Sequence, residues 1–89
     1  MPGSAGGLLV RGVMAAEAGR VREGLALIRE ACAAAPADAE AHAQLGRWLS
    51  RLHRTGESVD AAQRALSLLP GSAATLDTIG VVFSRAGRH

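Results

Sequence analysis

The sequence predicts an all-α fold of about five helices, arranged as stacked antiparallel pairs, and three observations predict it. Apolar residues make up 48% of the chain, yet only Trp48 and Phe83 are aromatic and tyrosine is absent. A core of alanine, leucine, isoleucine and valine suits close helix-on-helix packing, and alanine has the highest helix propensity of any residue. Apolar positions recur three and four residues apart, the spacing of one helical face. The chain also matches itself at an offset of 34 residues, which sets Pro36 on Pro70, Ala31 on Ala65 and Glu23 on Glu57. Gly12, Gly46 and Gly80 share one column of that alignment, and Arg20, Arg54 and Arg88 share another. A fixed period of this length marks stacked supersecondary units, and 89 residues hold one small domain of them.

Residues 1–4 belong to the Gly/Pro/Ser-rich MPGSAGG and read as a disordered leader. Unit one covers 5–38. Gly19 in AGR supplies its turn, Leu25, Ile28, Ala31 and Cys32 form the stripe of its second helix, and Pro36 closes it. Unit two covers 39–72, with Asp38 as the cap of its first helix and Ala41, Leu45, Trp48, Leu49 and Leu52 as the stripe. HRTGE breaks that helix. His53 stands where unit one has Gly19, so the turn is expected to shift toward Gly56, and Thr55 or Ser58 is expected to cap the next helix. Val59, Ala62, Ala65, Leu66 and Leu69 form its stripe before Pro70 and Gly71. Residues 73–89 repeat only the first-helix pattern, through Leu76, Ile79, Gly80 and Phe83. The natural protein is expected to continue past them, and the exposed helix to support a homodimer through the 73–89 segment.

Charge and cysteine content exclude several classes of function. Ten arginines and no lysine against eight acids give +2, a scattered excess too weak to point to nucleic acid. Such usage beside abundant alanine and glycine is associated with high-GC bacterial genomes. One cysteine, Cys32, allows no intrachain disulfide, which favours a cytoplasmic setting. Arg11 interrupts the short apolar run Leu8, Leu9, Val10, so no signal peptide or membrane span is expected. His42 and His53 are eleven residues apart, roughly 16 Å along a helix, too far to share a metal. Cys32 lies on an apolar stripe with no histidine placed to activate it, and Met14 reads as core filler. No catalytic residue, cofactor or metal is expected.

The columns resemble the tetratricopeptide repeat, a 34-residue helix-turn-helix unit with the signature W-x2-L-G-x2-Y, A-x3-F, A, P. Unit two matches through His42, Leu45, Gly46, Leu49, Ala62, Ala65 and Pro70; unit one through Leu8, Gly12, Ala15, Gly24, Ile28, Ala31 and Pro36; the half unit through Leu76, Ile79, Gly80 and Phe83. Arg11, Ser58 and His53 depart from the pattern. The resemblance implies a right-handed superhelix of helix pairs, an α-solenoid, acting as a non-catalytic protein-interaction scaffold. It also admits an N-terminal accessory segment of a larger bacterial enzyme such as a sulfotransferase or glycosyltransferase.

Two sets of residues follow from it. Gly12, Gly46 and Gly80 are expected to let paired helices approach closely, with Pro36 and Pro70 closing the units; leucine at position 46 should disrupt the pair and alanine should be mild. The concave groove is expected to use Glu40, Gln44, Arg47, Arg51, Asp77 and Arg85, together with Ala43, Ser50, Ala74, Thr78, Val81 and Ser84, and Gly6, Leu9, Val10, Val13 and Glu17 from unit one. Three arginines among them suit a protein or peptide partner that is acidic. The positions that hold a chaperone's C-terminal carboxylate in the family read Leu9, Val13, Gln44, Ala74 and Thr78, which argues against that ligand.

Overall fold

A computed structural model describes residues 5–68 and 73–87. It is all-α, and five helices with no strand occur among those residues: α1 (Ala5–Glu17), α2 (Val21–Ala34), α3 (Ala39–Arg51), α4 (Thr55–Ser67) and α5 (Ala73–Arg85). α1 packs chiefly on α2 and α3 on α4, while α5 lies against both α3 and α4, and α2 joins the two pairs by packing on α3. The partners within a pair run antiparallel: Gly12 meets Ile28, and Ala16, one turn further along α1, meets Gly24, one turn earlier in α2. The leader 1–4 and Pro70 lie outside the described residues.

The helix ends are built from local chemistry. Asp38 caps α3, its Oδ1 accepting from the backbone N–H of Glu40 at 3.0 Å and of Ala41 at 3.4 Å. α2 ends at Ala34, two residues before Pro36, whose carbonyl accepts a 2.9 Å hydrogen bond from His42 Nε2 and so ties the turn to α3. α1 and α3 end in the same motif. Gly19 (φ 98°) donates to Ala16 and Arg20 to Ala15; one period later His53 (φ 61°) donates to Ser50 and Arg54 to Leu49. The turn of unit two is therefore not displaced toward Gly56, which lies inside α4. His53 adopts the left-handed conformation that glycine has in unit one, because two backbone hydrogen bonds depend on it. Neither Thr55 nor Ser58 caps α4. Arg54 stands at the cap without a side-chain bond, and Ser58 is buried with its hydroxyl donating to the carbonyl of Thr55 at 2.8 Å.

Two clusters make the core. Leu9, Ala16, Leu25, Ile28, Ala31, Cys32, Ala41, Trp48, Leu49 and Ala61 form the first, across both pairs. Ala43, Ala62, Ala65, Ile79 and Val82 form the second, under α5. Most of the sequence stripes are in these clusters, but Met14, Leu66 and Leu76, expected on the apolar side, are exposed. Met14 is 63% exposed and is not core filler, and Leu66 is 44% exposed although the apolar stripe of α4 includes it. Ile79 and Val82 are buried inside the chain at 4% and 0%, so they are not available to a second copy. The exposed apolar residues of α5 are Leu76 and Val81.

The glycine column divides. A Cβ on Gly12 would lie 2.8 Å from Ile28 Cγ1 and 2.9 Å from the Gly24 carbonyl oxygen; one on Gly46 would lie 2.9 Å from the Ser58 carbonyl oxygen. Both glycines seat a neighbouring backbone, and alanine at position 46 would strike the α4 backbone and is not a mild change. Gly80 has nothing within 4 Å of such an atom, since no helix among the described residues follows α5 to pack on that face.

Candidate functional site

The concave candidate lies between α3 and α5. Arg47 and Arg51 of α3, with Asp77, Thr78, Val81 and Arg85 of α5, line a cleft of about 290 Å³. Helical spacing explains the gathering: 47 and 51 are one turn apart on α3, while 77, 78, 81 and 85 descend one side of α5. The core side of α5 is a different stripe, 75, 79 and 82, which is buried. Of the sequence-expected groove residues, six therefore come together here, Arg47, Arg51, Asp77, Thr78, Val81 and Arg85. Gln44 borders them, its Oε1 accepting from Arg47 at 3.3 Å. Glu40 is exposed near the start of α3 and does not line the cleft.

Two other expected groove residues turn inward. Leu9 belongs to the first core cluster and Ala43 to the second, where it packs with Ile79 and Val82. Both occupy the column that holds Asp77, one period beyond Ala43 and two beyond Leu9, and the column is solvent-facing only at α5, which has no further helix stacked over it among the described residues.

The arginines differ in what they already do. Arg47 is engaged three ways: it bonds Gln44, pairs with Glu17 Oε2 of α1 at 3.8 Å, and sets its guanidinium 4.5 Å from the centroid of Trp48. Arg51 lies 5.6 Å from the same ring and has no ion-pair partner among the described residues. Neither do Asp77 and Arg85. Trp48 itself is 2% exposed, so the two guanidiniums roof a buried indole. The sequence reading named Glu17 only as a groove position; the pair it makes with Arg47 needed knowledge of how α1 and α3 cross.

A larger depression of about 500 Å³ lies on α1 and α2, lined by Arg11, Met14, Ala15, Ala18, Arg20, Glu23 and Leu27. Its Arg20 and Glu23 pair with each other at 3.3 Å, and its wall is mostly apolar. Cys32 is buried, and burial followed by the charge of Asp38 pushes its thiol up to about 11, away from nucleophilic use near neutral pH. Among the described residues no three His, Cys, Asp or Glu side chains gather as a metal site, and no helix is long and apolar enough to cross a membrane. No protein-family model matches the chain, and no curated protein shows significant similarity to it.

Proposed function

We propose that this chain is a tetratricopeptide-like interaction module, a right-handed stack of helix pairs acting in the cytoplasm, that holds a protein or peptide segment in the α3–α5 cleft and carries out no reaction of its own. One observation carries the proposal: Arg51, Arg85 and Asp77 line one concavity with no ion-pair partner among the described residues, whereas Arg47 beside them is paired with Glu17. Unpaired guanidiniums in a cleft recognise carboxylates.

The repeat reading is supported by recurrence at one period. Besides the two identical helix-end motifs, the Arg20–Glu23 pair of α2 reappears as Arg54–Glu57 in α4 at 3.9 Å. Units that contact only their neighbours in this way present extended binding faces.

Fluorescence anisotropy with a labelled glutamate-containing peptide tests the function. The expected result is binding that weakens as salt rises and is lost in the Arg51→Glu, Arg85→Glu double variant. Equal binding by that variant and the parent, or no binding by either, would leave the arginines as solvated surface charge.

A further inference from the structure

We infer that the α3–α5 cleft selects an amphoteric segment, one that presents a carboxylate to Arg51 and Arg85 and a cationic group to Asp77. The inference rests on the cleft being a peptide site, as proposed above, and adds the charge pattern of the ligand.

Where α1 meets α3, Glu17 pairs with Arg47 at 3.8 Å, so the charges at that crossing are satisfied within the chain. Moving both positions forward by one 34-residue period gives Arg51 on α3 and Val81 on α5. The acid has become a base and its partner an aliphatic side chain. The second crossing therefore has no internal counterpart of the ion pair that closes the first, and Arg51 lacks a carboxylate there.

The rest of the lining sets the sign of what fits. Arg85, one turn below Val81, adds a second guanidinium without an ion-pair partner among the described residues, and Asp77, one turn above Val81, adds one carboxylate in the same state. Thr78 commits its hydroxyl hydrogen to the Ala74 carbonyl at 3.0 Å. The free groups are thus two cations, one anion and the aliphatic Val81 in about 290 Å³, at the low end of ligand cavities and suited to one or two side chains. A purely acidic segment satisfies the arginines but meets Asp77 with like charge. A nucleic-acid backbone does the same with more charge and lacks a cation for Asp77. A helical segment with Glu and Lys one turn apart satisfies both signs at once.

Three labelled peptides of equal length test this by anisotropy at constant ionic strength: one with Glu alone, one with Glu and Lys at i and i+4, and one with Lys alone, beside a single-stranded oligonucleotide. The parent chain is compared with Asp77→Asn and with Arg51→Gln, Arg85→Gln. All three positions are exposed, and unchanged melting curves verify that the variants fold. The expected result is that the parent binds the Glu/Lys peptide about tenfold more tightly than the Glu peptide, a preference of the size one added charge contact gives. Asp77→Asn should abolish or invert that preference, and the double variant should lose both peptides. If both acid-bearing peptides bind through the arginines and Asp77→Asn leaves their ratio unchanged, the amphoteric assignment is overturned while the peptide site stands. If no peptide binds, both fall. Tighter binding of the oligonucleotide than of every peptide overturns the inference in favour of a nucleic-acid surface.

Discussion

Gly12 and Gly24 bring the backbones of α1 and α2 into direct contact: a Cβ on Gly12 would stand 2.9 Å from the Gly24 carbonyl oxygen, and one on Gly24 would run into the Gly12 carbonyl oxygen and come within 2.7 Å of the Ala16 nitrogen. A mutual contact of this kind exchanges two helix-weakening residues for dispersion between main chains. Alanine at either position is expected to destabilise by about 1–3 kcal/mol, outweighing the roughly 1 kcal/mol of helix propensity it gains. Gly80, with open space around it, should respond oppositely, Gly80→Ala adding up to about 1 kcal/mol. Denaturant midpoints of Gly12→Ala, Gly24→Ala and Gly80→Ala decide the matter. Shifts of one sign at all three would refute the packing account.

His53 at φ 61° is the only non-glycine residue with positive φ among those described. L-residues lose about 1–2 kcal/mol in this region, part of which glycine returns through the greater freedom of the unfolded chain. His53→Gly is therefore expected to raise stability by about 0.5 kcal/mol, and Gly19→Ala to lower it by about 1 kcal/mol. Thermal melts of the two variants should move in opposite directions.

The Cys32 thiol is raised from 9.0 to about 11, by burial first and by Asp38 second, with Arg29 opposing. The folded state keeps a proton that the unfolded chain releases more easily. Its contribution is fully present below pH 9.0 and is lost as pH rises through about 11. Cys32→Ala should flatten this part of the alkaline stability curve. Thiol-specific labelling of the parent near neutral pH should be slow until denaturant is added, and rapid labelling of the native chain would contradict the burial argument.

Self-association is expected to be weak, because Leu76 and Val81 are the exposed large apolar residues of α5 and Phe83 is only partly covered. Sedimentation of the parent beside Leu76→Glu should show any concentration-dependent dimer disappear in the variant. A dimer that survives Leu76→Glu would place the contact elsewhere.

The all-α class, the element order and the Asp38 cap were legible because each is written in neighbouring residues: apolar spacing, a carboxylate before an alanine run, a proline after one. Gly46 was legible as a packing glycine from its column alone, but its column gave Gly80 the same role, and the absence of a helix on that face is a property of the assembled chain. Likewise nothing local distinguishes Ala43, which is buried by α5, from Asp77 in the same column, which faces the cleft. The gathering of Arg47, Arg51, Asp77 and Arg85 was expected only through the tetratricopeptide resemblance, whose groove columns they occupy. Their division into engaged and free was not legible, since Arg47 is occupied by Glu17, 30 positions away.

The two core clusters are unequal, and the inequality divides the molecule's cooperativity. Leu9, Leu25, Ile28, Trp48 and Leu49 hold α1, α2 and α3 together, whereas α5 contributes Ile79 and Val82 to a cluster otherwise made of Ala43, Ala62 and Ala65. Alanine contacts release little free energy when broken, so α5 is expected to open at lower cost than the α1–α3 core and its amide hydrogens to exchange earlier. One wall of the cleft is thus expected to be less protected than the α1–α3 core. Whatever bridges α3 and α5 slows that opening by mass action, which makes the exchange rate of α5 a reporter of occupancy that needs no label on the ligand.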